Sequence, residues 1–276
     1  MIMTTITANT IATGTGTLTA TPTRARLSLP RPQKAAFGRL KRLSSAAMYF
    51  QPIEDPGSKL IAYLLGDPDV REAVVIDPPP RENELILALL SERKMRLRYV
   101  LRTHVHAHDG ADCSALCGRA SAQLVVAHSV VLTDGCPHIP LRVGEGSQLE
   151  FGNECIRVLS TPGHTPACVS YLWRDRLFCG DVFDAGDCPS GDAEVDGGLL
   201  FDSLMRSIFR LPEQTLVFPA HAIDGRHVAT LAELRQHYGR MFNQSRDDFI
   251  ADMLSRRSQR GQPRRSGQHQ APHRSY

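Results

Sequence analysis

Four segments of this 276-residue chain place a possible metal ligand just after a short apolar run. Residues 97–101 lead into Thr103-His104-Val105-His106-Ala107-His108-Asp109-Gly110, and residues 155–159 into Thr161-Pro162-Gly163-His164-Thr165. Residues 177–179 lead into Gly180-Asp181, and residues 216–218 into Pro219-Ala220-His221. Imidazole and carboxylate are the usual nitrogen and oxygen ligands of transition metals. Taken singly, each feature is ordinary: a histidine after a strand is most often a hydrogen-bonded surface or core residue, and an aspartate after glycine is a common turn. The pair His104 and His106 also reads as the polar edge of a strand. Together they point to a metal site, because loops at strand ends hold reactive groups on a rigid scaffold. Glycine and proline beside His164, Asp181 and His221 favour sharp turns that aim side chains into a common cleft.

The elements that must position these residues can be read from periodicity and punctuation. Strands are expected over residues 59–65, 73–76, 97–101, 123–127, 155–159, 169–173, 177–179 and 216–218. Pro78, Pro79 and Pro80 break the chain after Asp77. A helix over residues 82–93, with Leu85, Leu87, Leu89 and Leu90 among its apolar positions, then precedes the third strand. Further helices are expected from about residue 111 and over residues 200–209, 228–238 and 246–254. Strands and helices intermix without a repeat, which places the fold among layered α/β architectures.

Hydrophobic residues make up 42% of the chain and charged residues 22%, as in an ordinary globular protein. No apolar run reaches the roughly 20 residues of a membrane-spanning helix. The formal charge of +3 is unevenly spread. Residues 1–47 hold seven Lys or Arg and residues 256–276 hold six Arg, neither with an acid. That leaves 19 of the 32 basic residues against all 29 acidic ones, a formal charge of −10 for residues 48–255. A net-acidic body argues against broad nucleic-acid binding. The expected organisation is a disordered extension or targeting peptide over residues 1–47, one domain over residues 48–255, and a disordered basic tail over residues 256–276. The seven cysteines are odd in number, and no secretory signal precedes them. Reduced thiols in the cytoplasm are expected, or in the mitochondrial matrix if the leader is a transit peptide. Cys113 and Cys117 stand at helical spacing and read as two small helix residues.

The series THVHAHDG, TPGHT, CGD and PAH resembles the metallo-β-lactamase superfamily, and within it the chain is most similar to the persulfide dioxygenases. The likeness spans residues 48–254, including YLLGD and the strand ending VVIDP. It implies an αββα sandwich, two mixed β-sheets flanked by helices. It also implies one Fe(II) per chain, held by His104, His164 and Asp181 as the catalytic and metal-binding residues, with zinc as the alternative. Two histidines and a carboxylate form the facial triad of non-haem iron oxygenases. His106, Asp109 and His221 would then lie behind the ligands and orient them, or serve a second metal. His108 reads as solvent-facing.

The chain departs from the family in two ways. The first motif of the superfamily is His-x-His-x-Asp-His, whereas His108 and Asp109 stand here in exchanged order. That exchange disfavours the second zinc of dinuclear hydrolases more than it disfavours a single iron. An Arg that family members use for glutathione persulfide corresponds to Ser190, and the family Tyr before Pro-Ala-His is Phe218. The Asp and Tyr after that His are Ala222 and Ile223. Serine cannot replace the planar fork of arginine on a carboxylate, so the substrate-binding residues are not assigned. Cys188 matches a family cysteine and reads equally as a small buried residue.

The resemblance implies a mononuclear iron dioxygenase acting on a low-molecular-weight, glutathione-like persulfide and O₂. The alternatives are a zinc-dependent thioester or lactone hydrolase, like the hydroxyacylglutathione hydrolases, and a catalytically degenerate member that binds a metal or ligand. Neither nucleic acid nor membrane is an expected partner, and a homodimer is compatible with the sequence.

Overall fold

The computed structural model describes residues 48–106, 114–131, 139–183, 195–239 and 243–260. His108, Asp109, Cys113, Cys188 and Ser190 therefore lie outside the described residues. Twelve strands among those described form two six-stranded sheets. The first contains β1 (Tyr49–Glu54), β2 (Ile61–Asp67), β3 (Glu72–Ile76), β4 (Arg96–Leu101), β5 (Gln123–Ala127) and β6 (Leu141–Val143), in that spatial order. The second contains β7 (Gln148–Phe151), β8 (Glu154–Ser160), β9 (Val169–Trp173), β10 (Arg176–Gly180), β11 (Leu216–Pro219) and β12 (Ala229–Thr230), again neighbours in chain order. Both sheets are mixed. In the first, β3 to β6 run parallel and β1 and β2 are antiparallel additions. In the second, only β10 and β11 are a parallel pair.

Side-chain alternation builds two cores from the second sheet. Phe178 and Phe218 point inward, where they pack with Tyr63, Tyr171 and Trp173 between the sheets. Leu177, Cys179 and Val217 point outward beneath the helices α3 (Gly197–Arg206), α4 (Leu231–His237) and α5 (Arg246–Arg260). On the first sheet, Ile86 and Leu90 of α1 (Asn83–Glu92) and Leu116 of α2 (Ser114–Ala120) join the core. A sheet covered on both faces accounts for the continuous apolar runs in its strands. The result is an α/β sandwich of two mixed sheets flanked by helices.

Several boundaries differ from those expected of the sequence, each for a local reason. Lys59 has φ of 62° in a turn, so β2 starts at Ile61. Asp196 caps α3 by accepting from the backbone N–H groups of Gly198 and Leu199, which moves the helix start ahead of Leu200. The stretch expected as one helix over residues 228–238 divides into β12 and α4, because Thr230 and Glu233 form a capping box. The last helix runs to Arg260, past the Ser255 boundary drawn for the basic tail. Among the described residues no helix is long and apolar enough to cross a membrane.

The direction of the strands gathers the site. Since β8 and β9 are antiparallel and β9 and β10 are antiparallel, β8, β10 and β11 all run the same way. Their C-terminal loops, carrying His164, Asp181 and His221, leave the sheet at one end. The two sheets are joined at that end by Val169 N donating to Thr103 O (2.8 Å) and Ile61 N to Ala220 O (2.8 Å). The Tyr63 hydroxyl donates to Pro219 O (2.6 Å) and that of Tyr171 to Arg102 O (2.9 Å).

Candidate metal centre

The loop after β4 is set from behind by β3. Asp77, which follows β3 and has φ of 48°, accepts from Thr103 N (2.8 Å) and from the Thr103 hydroxyl (2.6 Å). The same hydroxyl oxygen lies 2.9 Å from His104 Nδ1. A hydroxyl has one proton, and the Asp77 carboxylate takes it; the oxygen must then accept from Nδ1–H of His104. This fixes the tautomer and leaves the Nε2 lone pair of His104 free for a metal. The Thr103 loop also requires a glycine opposite. Gly180 has φ of +60°, and a Cβ there would lie 2.6 Å from Thr103 Oγ1 and 3.3 Å from His104 Nδ1.

Asp181, at the end of β10, is buried together with His104, His106 and His164. Its Oδ2 lies 3.5 Å from His104 Nε2 and 3.7 Å from His164 Nε2. His221 Nδ1 lies 3.0 Å from both Asp181 oxygens and donates to the carboxylate. Burial alone pushes the Asp181 carboxyl up, but the His221 hydrogen bond and the neighbouring His104 and His164 imidazoles outweigh it and hold the group well below the usual carboxylate range. Burial pushes His104 and His164 down to about 4, so both rings are neutral at physiological pH. Neutral imidazole and ionised carboxylate are the forms that bind a metal.

The structure thus brings His104, His164, Asp181, His106 and His221 together. His106, which the sequence suggests as an orienting or second-metal residue, places its Nε2 3.4 Å from His164 Nε2. Ligand atoms of His104, His106 and His164 all lie within 4.8 Å of one another. Adjacent ligands each about 2.1 Å from one ion lie roughly 3.0–3.4 Å apart. The observed separations of 3.4, 3.5 and 3.7 Å fit a single transition-metal ion. The donor set fits as well, since the neutral imidazoles of His104 and His164 and the ionised Asp181 carboxylate leave a net negative charge for a cation to offset. Sequence reasoning missed Asp77 and Thr103 as the groups that orient His104. Their signal was local: Asp77 ends a β-branched run and Thr103 directly precedes the first histidine. Phe218, at the family's tyrosine position, packs on Phe178 in the inner core with ring centroids 5.4 Å apart.

Among solved structures, a metallo-β-lactamase from Staphylococcus aureus matches with a TM-score of 0.67 and 25% identity, over 79% of this chain and 68% of that one. That likeness, with the sandwich and the buried histidines, defines a protein of metallo-β-lactamase fold. The structure of ETHE1 from Myxococcus xanthus matches with a TM-score of 0.65 and 34% identity, over 79% of this chain and 93% of that one. In sequence, the mitochondrial persulfide dioxygenase ETHE1 of Mus musculus is 32% identical over 195 residues, 70% of this chain and 75% of the mouse protein. A hydroxyacylglutathione hydrolase of Vibrio cholerae is 31% identical over 166 residues, 58% of this chain and 60% of that protein. No family model matches the chain. The chain belongs to the persulfide dioxygenase family of enzymes, within the metallo-β-lactamase superfamily.

Proposed function

We propose that the protein is a mononuclear non-haem Fe(II) dioxygenase that oxidises the outer sulfur of a low-molecular-weight, glutathione-like persulfide towards sulfite. The observation that carries this reading is the buried convergence of His104, His164 and Asp181 on one point. Bound there, Fe(II) would supply the redox chemistry between O₂ and sulfur, with coordination positions left open for both. The chain's own side chains prepare the centre. Thr103 holds the His104 ring with its Nε2 lone pair forward. His221 holds the Asp181 carboxylate through its Nδ1. Burial of the ligands excludes bulk water and strengthens the field of the carboxylate.

A second reading, a zinc-dependent thioester or lactone hydrolase, is favoured by His106. Three histidine nitrogens at one point are a donor set that zinc takes in hydrolytic centres. The exchanged order of His108 and Asp109 weighs against a second zinc and hence against the dinuclear form of this reading. Metal analysis of protein purified without oxygen, paired with O₂ uptake on several persulfides, separates the readings. The expected result is about one iron per chain with O₂ consumption. Zinc with thioester or lactone hydrolysis would move the second reading ahead, and neither activity would mark a degenerate, ligand-binding member. For location, the acid-free leader of residues 1–47 suits an organellar transit peptide, as in a relative named mitochondrial. Fusion of that segment to a fluorescent protein should direct it to mitochondria; diffuse cytoplasmic signal would refute the targeting role.

A further inference from the structure

His104 and His164 are held in different ways. The Nδ1 of His104 meets the Thr103 hydroxyl, whereas the buried Nδ1 of His164 has no hydrogen-bond partner among the described residues. With no hydrogen bond to its Nδ1 among the described residues, the direction of the His164 ring depends on the hold on its own loop. Helix α3 supplies that hold. Asp196 N, at its cap, donates to Gly163 O (2.8 Å). Gly163 has φ of +142°, and a Cβ there would lie 2.4 Å from Leu200 Cα, so the turn sits directly against the helix backbone. One helical turn further on, the Ser203 hydroxyl donates to Pro162 O at 2.6 Å. A serine within a helix ordinarily returns its hydroxyl to a carbonyl of its own preceding turn. The hydroxyl of Ser203 instead leaves the helix, and the residue is only 5% exposed. Helix α3 is itself firmly seated, with Leu200 and Leu204 in the outer core and Phe201 packed on Phe249 of α5.

We infer that Ser203 is a positioning residue for His164: its hydroxyl latches α3 to the Pro162–Gly163 turn and so sets the direction from which the imidazole meets the metal. The inference deepens the proposed function and rests on its reading of His164 as a ligand. It concerns a residue 39 positions along the chain from His164, on an element that carries no proposed ligand.

The test uses Co(II) as the probe, added to the metal-free full-length protein. Affinity is measured by competition with a chelator and geometry by the visible absorption of the bound ion. Ser203→Ala should weaken Co(II) binding by about tenfold and shift the absorption bands, the usual scale for losing a group that orients a ligand. The melting temperature of the metal-free protein should fall no more than it does in Ile208→Val. Ile208 is a fully buried residue of the same outer core, and its variant should leave Co(II) affinity unchanged. Unaltered affinity and spectrum in Ser203→Ala would overturn the latch. So would a loss of affinity matched by Ile208→Val, since that would reflect general loosening of the core. His164→Ala separates the two levels. If it binds Co(II) like the parent, the ligand reading and the latch fall together; if it loses Co(II) while Ser203→Ala does not, the latch alone falls.

Discussion

Strands β3 and β8 each carry polar, ionisable side chains near both ends, and the two ends of the sandwich treat them differently. At the start of β8, Glu154 accepts from Trp173 Nε1 (2.8 Å) and from Arg174 Nε (2.8 Å) and Nη2 (2.7 Å). At the start of β3, Glu72 accepts from Gly152 N (2.8 Å) and pairs with Arg96 and Arg98. Nearby, Asp67 accepts from Asn153 N (2.8 Å) and Asn153 Nδ2 (3.0 Å). Each of these carboxylates is met by donors, as buried acceptors in a purely structural cluster are. Beyond the far ends of the same strands, Asp77 and His164 belong to the metal centre. Nitrogens of His104, His106 and His164 face one another, those of His104 and His164 also face the Asp181 carboxylate, and among the described residues His221 hydrogen-bonds that carboxylate and Thr103 meets His104. Imidazole nitrogens converging beside a carboxylate are an arrangement that a cation binds. The lesson concerns satisfaction of polar groups, since burial is common to both ends: a closed cluster stabilises the fold, and a cluster of converging acceptors requires a ligand.

This contrast can be broken by experiment. The largest effect is expected at the open end. His104→Ala, His164→Ala and Asp181→Ala should each abolish metal retention and turnover while the domain stays folded, as judged by metal content and circular dichroism. Metal content equal to that of the parent in any of the three would remove that residue from the ligand set. Next in size is Thr103→Val, which keeps the shape of the side chain and removes the hydroxyl that links Asp77 to His104. Metal affinity should fall roughly 10–100-fold, and Thr103→Ser should restore most of it. Equal affinity in the valine variant would mean that the His104 tautomer is set by something else.

The smallest effect is expected at the closed end, and on stability alone. Glu154→Gln keeps the size of the side chain but weakens the hydrogen bonds to Trp173 and Arg174; unfolding by urea should show a loss of about 1–3 kcal/mol with unchanged metal affinity. The Arg174 hydrogen bond, joined by that of Trp173 and by the Arg174 charge, outweighs burial and lowers the Glu154 carboxyl in the folded protein. A group depressed on folding contributes stability that is complete above its unfolded value, about 4.3, and is lost as pH falls through the folded value. Acid titration of stability should therefore be shallower in Glu154→Gln than in the parent. A parallel pair of curves, or a loss of metal in this variant, would show that the two ends are not independent.

Much of this molecule was legible locally. The β-branched runs of β3 and β5, the prolines after Asp77 and the histidines at strand ends are local signals, and they pointed to the α/β class and to a set of residues the structure brings together. Other features were invisible for equally physical reasons. Strands β6 and β12 have three and two residues, too short for any period, and exist because a neighbouring strand offers its backbone groups. β1 contains Pro52 and sits at a sheet edge, where a proline is tolerated but the alternating pattern is broken.

The sequence by itself determined which side chains could bind a metal, because ligand chemistry belongs to the residue and a strand-end loop is marked by its own few residues. Only the tertiary structure decided which of them meet. His106 faces His164 across 58 positions of chain, and Ser203 reaches Pro162 across 41. Such distances close only when two sheets stack and a helix docks on the outer face, and packing over the whole domain decides that.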